Sequence, residues 1–295
     1  MHFISKNADS VITLASAAIA AAMALLLLTI FTFIAQESLP AWQQGVLAIL
    51  TGSEWQPLAE PPQLGLLIML ASTLWSALGA MLIAAPLGVC CAIFLAEFAP
   101  DWLTAIIKPV LTMLTGIPSV VYGFLGAAVL VRFFEIKRLL ASGESLFCAS
   151  LVLAIMVIPY IVTGCYSALR SIPAEYRIAV LSMGISKPYA AIHVLLPMAR
   201  KSMISAISLA FGRAAGETMA VLMLAGNTLL LPTSWFAKGE PLSALIALEL
   251  GSATVGSPQY HGLFAAGLVL LAFISVINLT IYFSSRDSRN VARLK

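Results

Sequence analysis

LGLLIMLASTLWSALGAMLIAAPLGVCCAIFLA, residues 64–96, is a run of 33 positions without a charge. A helix crosses the hydrocarbon core of a bilayer with about 20 apolar residues, so this run spans with tilt or projects beyond the membrane. Four more charge-free runs surround it: Val11–Ala35, Pro109–Val131, Phe147–Leu169 and Gly262–Phe283. A sixth, Ser202–Leu231, is equally apolar but holds one arginine and one glutamate. Six membrane-spanning helices follow, in an all-α bundle.

Composition agrees. Of the 295 residues, 61% are hydrophobic and 10% charged, and the mean hydropathy is +1.00. An ordinary soluble domain has about 25% charged residues. A soluble enzyme, a nucleic-acid-binding module and a disordered scaffold are all excluded. The first apolar run is longer than the core of about 7–15 residues found in signal peptides, so it reads as a retained anchor. The four cysteines lie in or beside apolar segments with no C-x-x-C spacing, and the three histidines form no metal-ligand motif. Small buried hydrophobes are the reading for the cysteines. No phosphate-binding glycine loop or nucleophile elbow is present, so no metal or catalytic site is expected.

Lysine and arginine set the orientation, because they gather in cytoplasmic loops. With the N-terminus inside, Lys6, Lys108, Arg170, Arg177, Lys187, Arg200, Lys201, Arg286, Arg289, Arg293 and Lys295 fall inside, which is eleven. Arg132, Lys137, Arg138 and Lys238 fall outside, which is four. That split places both termini in the cytoplasm. The chain divides into an anchor helix with an outer loop (1–63), a bundle (64–284) and a basic tail (285–295). No internal repeat signals a duplicated transporter half. Six spans are few for a transporter acting alone, which points to a second membrane subunit.

The inner loop RSIPAEYRIAVLSMGISKPYAAIHVLLPMARK, residues 170–201, is basic yet rich in apolar residues. Pro173 suits a first helical turn, Gly184 is placed to end the helix, and Lys187–Pro188 starts another. The pattern fits a helix-turn-helix at the cytoplasmic face, and equally an amphipathic helix resting on anionic lipid.

Those residues carry a resemblance. The loop is similar to the coupling loop of ABC importer permeases, E-A-A-x3-G-x9-I-x-L-P. Gly184, Leu196 and Pro197 hold the family separation, Val194 takes the isoleucine position, and Ala179 and Val180 fill the alanine positions. Ile178 stands where the family has an acid, with Glu175 three residues earlier. The resemblance implies that the loop docks in a cleft of a cytoplasmic ATPase. Glu175, Arg177, Ala179, Gly184, Lys187, Leu196 and Pro197 are the coupling residues it implies.

In the fifth run, Arg213 and Glu217 read as one helical turn apart on one face. Ionisable residues inside a membrane are costly and usually pair or face a wet cavity. An oxyanion could compete with Glu217 for the guanidinium, whose donor fork suits phosphate; a structural ion pair is the alternative. Gly212 and Gly216 form a G-x-x-x-G that lets another helix approach. Asn227 reads as a polar contact or a helix cap.

The phrase GRAAGETMAVLMLAGN, residues 212–227, resembles the fifth-helix signature of phosphate ABC importer permeases of the PstC type. SEWQP (53–57), GIPSVVYGF (116–124) and AIMVIPYIV (154–162) agree with it. The resemblance implies a MetI-like ABC permease fold. It also implies a heterodimer with a second permease, an ATPase dimer that binds ATP and Mg, and an outer phosphate-binding protein. This chain would hold no cofactor and hydrolyse nothing. Arg213 and Glu217 become the leading substrate-path residues, followed by Ser119, Tyr122 and Tyr160. Pro118 and Pro159 fit kinks that free carbonyls at a gate, or ordinary helix bends. A permease for another oxyanion (phosphonate or molybdate), or a non-transporting membrane anchor or signalling subunit for an ATPase, fits the same residues.

Overall fold

A computed structural model describes the backbone of residues 2–137 and 143–291 and the side chains of 12–137 and 143–280. Lys6, Arg138 and the tail residues Arg286, Arg289, Arg293 and Lys295, used above for orientation, lie outside the described side chains.

The chain opens with α1 (His2–Ser38), then a short α2 (Val46–Thr51). A two-stranded antiparallel ladder follows, β1 (Trp55–Gln56) with β2 (Gln63–Leu64), pairing Trp55 with Leu64. The long helix α3 (Leu67–Ile93) ends in a widened turn, Phe94–Phe98, where the Ala99 N–H reaches the Phe94 carbonyl at 2.8 Å. Next come α4 (Asp101–Thr115), α5 (Ser119–Gly126) and α6 (Arg132–Ile136), the last two joined through a widened turn. The central α7 (Leu146–Arg170) leads into α8 (Ala174–Ser182). The short α9 (Lys187–Ala190) passes through a widened turn, Ala191–Leu195, into α10 (Leu196–Ala215). After a break come α11 (Met219–Leu224), α12 (Leu242–Glu249) and the long α13 (Pro258–Val291).

Six helical stretches among the described residues are long and apolar enough to cross a membrane: 12–38, 67–98, 119–136, 146–170, 187–215 and 258–280. Two boundaries correct the sequence reading. The third span begins at Ser119, not at Pro109, because Gly116–Ile117–Pro118 interrupts the helix and leaves α4 as a separate element. The fifth starts within the loop at Lys187 and ends at Ala215, well short of Leu231. There Gly216 closes the helix by bonding back to Gly212 at 3.0 Å.

Helix α7 is the centre of the bundle, with two-thirds of its apolar window buried, against none of α1. Ser145 starts it, its side-chain oxygen accepting the Cys148 N–H at 3.2 Å as an N-cap. Small residues let α3 pack closely on α7: Ala77, Ala80, Ala84 and Ala92 face Ala149, Leu153, Val157 and Ile161 in one core. In lipid, where apolar surface gains little from burial between helices, such close backbone approach is the main source of packing energy. Gly88 shows how tight it is: a Cβ there would lie 2.7 Å from Ile161. Pro159 sits within α7 without breaking it.

A second, smaller core lies at the opposite end of the bundle from α8. Trp55, Leu64, Leu66 and Met69 pack there with Leu242, Leu245, Leu263 and Ala266. The segment between α11 and α12 folds back beside it. Trp235 donates to the Ser150 hydroxyl at 2.8 Å, and Gly239 donates to the Ala225 carbonyl at 3.0 Å.

Candidate functional site

Two breaks in the bundle carry most of the predicted path residues. The first separates α4 from α5. A helix end leaves four carbonyls without intrahelical partners, and in a membrane no bulk water is available to satisfy them. Here all four are accounted for. The Thr112 carbonyl accepts from the Thr115 hydroxyl at 2.7 Å, and that of Met113 from the Gly116 N–H at 3.0 Å. The Leu114 carbonyl accepts from the Tyr122 hydroxyl at 3.0 Å, and that of Thr115 from the Tyr160 hydroxyl at 3.1 Å. The two tyrosines therefore cap α4 from α5 and α7. Ser119 opens α5 directly after Pro118.

The second break, between α10 and α11, lies close to the first. Gly123 of α5 packs so tightly on α11 that a Cβ there would sit 2.9 Å from the Ala220 Cα. Arg213 occupies the last turn of α10, its guanidinium 4.3 Å from the centre of the Tyr160 ring. A cation over a tyrosine face is attracted to the ring's negative quadrupole, by about 0.5–2 kcal/mol according to exposure. Tyr160 thus joins the two breaks: its ring lies under Arg213 and its hydroxyl ends α4.

The arrangement of Arg213 and Glu217 differs from the sequence expectation. The helix ends at Ala215, so the two residues do not share a continuous helical face. Among the described residues they form no ion pair. The half-buried Glu217 lies in the break, with a carboxylate oxygen 3.5 Å from the Ala220 N–H and its carbonyl accepting from the Ser243 hydroxyl at 2.7 Å. Arg213 is exposed and lines a cavity of about 460 Å3 with Tyr160, Gly164, Gly212, Ile274 and Asn278. A second cavity of about 440 Å3 includes Gly216, Thr218 and Ser243. The G-x-x-x-G does receive another helix, since Ile274 of α13 reaches both Gly212 and Gly216.

Asn227 stands apart from this cluster. It follows α11 at a positive φ of 40°, and its amide N–H donates to the Leu222 carbonyl at 2.8 Å. That is the cap reading. The Asn227 Oδ1 is buried without a partner among the described residues. Sequence reasoning missed Asn278, although a lone amide in an apolar run was a visible signal of the kind that revealed Arg213.

The loop after α7 forms a helix-turn-helix. Gly184, at φ +75°, makes the turn that a side chain would strain, and α9 starts at Lys187. Tyr176, Ile178, Leu181 and Met183 are exposed along α8 and its end, beside the exposed Glu175 and Ala179. Lys187 lies 5.8 Å from the Phe98 ring centre. Leu196 is half-buried and Pro197 exposed at the start of α10, where the widened turn Ala191–Leu195 passes into it.

Arg177 is engaged within the chain rather than free on this surface. Its guanidinium reaches Glu97 with contacts of 2.9, 3.2 and 3.3 Å and donates to the Ile172 and Leu169 carbonyls, each at 2.7 Å. Glu97 is 5% exposed. One side chain thereby fastens α8 to the end of α3 and the end of α7.

Away from the breaks, Glu240 is buried next to Glu249, and among the described residues it makes no hydrogen bond or ion pair. Burial, reinforced by the Glu249 charge, lifts its carboxyl from 4.5 to about 7. Glu249 itself accepts N–H donors from Trp55 and Gln259 at 2.9–3.1 Å.

Six spans, interrupted helices at an arginine-lined cavity and a helix-turn-helix projecting from one end define a multi-pass membrane permease. The chain belongs to the family of binding-protein-dependent transport system inner membrane components, whose model matches residues 84–288. It is 37% identical to the "Probable ABC transporter permease protein YqgH" of Bacillus subtilis, over 81% of this chain and 78% of that one. It is 33% identical to the phosphate transport system permease protein PstC of Haemophilus influenzae, over 76% of each. Among solved structures, an inward-facing conformation of the MetNI methionine ABC transporter shares the fold, with TM-score 0.54 and 18% identity over 76% of this chain and 94% of that one. The family's members are permease subunits, not enzymes.

Proposed function

We propose that this chain is the permease subunit of an ATP-driven importer and moves inorganic phosphate across the cytoplasmic membrane by alternating access. The carrying observation is Arg213. An exposed guanidinium with no carboxylate partner among the described residues, held on the Tyr160 ring at the edge of a cavity, is a charge free to receive an oxyanion. The kinship with a phosphate permease supports phosphate as that anion. Ser119, Tyr122 and Tyr160 form the adjoining wall, Glu217 sits at the break that lets α10 and α11 move separately, and Asn227 caps the far end of α11.

The exposed apolar face of α8 is the docking surface for a cytoplasmic ATPase dimer, which binds ATP and Mg. Ile178, 63% exposed in the acidic position of the loop motif, makes that contact apolar. Both termini are cytoplasmic. A second, similar permease covers the uncovered flank around Arg213, where Leu209 is 73% and Met219 46% exposed. A phosphate-binding protein delivers the anion at the opposite face.

Arg213→Gln tests this reading. Uptake of radiolabelled phosphate should be abolished while membrane levels and co-purified ATPase stay at parental values. Normal uptake would overturn the path. Competition by phosphonate or molybdate in the parental assay would reassign the anion.

A further inference from the structure

The Arg213 cavity contains a second polar group. Asn278 projects from α13 into the same space. The Ser208 hydroxyl of α10 donates to its Oδ1 at 2.5 Å. Ser208 is buried and Asn278 half-buried at the cavity wall. With Oδ1 accepting the hydroxyl, the NH2 lies at the other end of the amide. The amide nitrogen lies beside Gly212: a Cβ built on that glycine would sit 3.5 Å from it. The missing side chain keeps the nitrogen uncovered next to Arg213, and among the described residues it has no hydrogen-bond partner.

We propose that Asn278 is a second anion-binding residue of the path, with its NH2 donating to an oxyanion held by Arg213, and that Ser208 is the positioning residue that aims it. The ligand class is a tetrahedral oxyanion, whose several acceptor oxygens match a site made of guanidinium and amide N–H groups. This inference rests on the reading of Arg213 as the phosphate path. It adds a reason for the polar bond between α10 and α13, since packing alone needs no uncovered donor at the cavity.

The test is radiolabelled phosphate uptake by the complete transporter in cells, with membrane levels of each variant measured in parallel. Asn278→Asp is the decisive variant. It has the size of asparagine and still accepts the Ser208 hydroxyl, so the α10–α13 bond survives, but it replaces the two donors with negative charge. Uptake should be lost with the protein still in the membrane. Asn278→Leu should raise the KM for phosphate about tenfold or more, the loss of one hydrogen bond to a charged ligand. Ser208→Ala should raise it about threefold, because the amide stays but is no longer aimed. Parental KM in Asn278→Asp would overturn the proposal, showing that only packing is required. Arg213→Gln in the same assay separates the two readings. If it takes up phosphate normally, the path is misplaced; if it fails while the Asn278 variants are normal, only the Asn278 role falls.

Discussion

Replacing Arg177 should uncouple the loop from the bundle without removing the loop from its ATPase. Glu97 is 5% exposed and the Arg177 side chain 19%, so the pair is largely shielded from water. Removing one partner of a buried ion pair costs about 3–5 kcal/mol, most of it the penalty of an uncompensated charge. The remaining exposure on the arginine side lowers this to about 3 kcal/mol. That amount shifts the balance between attached and detached α8 by about a hundredfold. The Ile172 carbonyl loses its donor at the same time, and that of Leu169 keeps only the Ile172 N–H at 3.3 Å. Lysine keeps the charge but cannot supply a fork to Glu97 and two carbonyl contacts at once. Arg177→Lys should therefore fail nearly as badly as Arg177→Gln. In the purified transporter, hydrogen exchange of the 174–182 amides should rise, ATP should still be hydrolysed, and phosphate moved per ATP should fall. A surface docking charge predicts the opposite pattern, with lysine tolerated and glutamine losing the ATPase. Unchanged exchange and an unchanged ratio of uptake to hydrolysis in both variants would refute the reasoning.

Tyr160→Phe keeps the ring under Arg213 but removes the donor to the Thr115 carbonyl; uptake should drop about threefold to tenfold at normal membrane levels, and parental kinetics would show that the cap is dispensable. Glu240→Gln should stabilise the detergent-solubilised protein in alkaline conditions. Because the folded carboxyl is raised from 4.5 to about 7, its contribution to stability is greatest below about 4.5, falls as pH rises, and is lowest above about 7. The gain in Tm from glutamine should therefore appear across that window and vanish in acid. An equal difference at both extremes would show that charge at Glu240 is not responsible.

The six spans were legible because a single chain segment crosses a bilayer alone only as a long apolar helix, and charge-free runs such as 64–96 have that length. The loop was legible too, since Gly184 and Lys187–Pro188 are local signals of stopping and starting. The breaks were harder. Pro118 invited a kink, but a kink and a full interruption look alike until the carbonyls of Leu114 and Thr115 find donors at positions 122 and 160. Gly212 and Gly216 fit a continuous helix with a packing seam, and the seam exists; that the helix stops one residue before Gly216 depends on how α11 packs against α5. The pair of Glu97 and Arg177 was not legible, because its members lie 80 positions apart in sequence. Long-range pairing of this kind leaves no periodic trace, and it moved Arg177 from the loop's surface to its hinge.

The helix α10 has a mechanical consequence. It makes a lever that starts at the widened turn Ala191–Leu195 and carries Arg213 near its far end, about 26 Å from Leu196 at 1.5 Å per residue. Pivoting such a rod by about 7° carries its tip sideways by roughly 3 Å, the length of a hydrogen bond. Because α11 begins only after the break at 216–218, the swing ends there instead of bending the bundle beyond it. On the proposed path, a small push at the loop would be enough to make or break the contacts between the anion and the arginine.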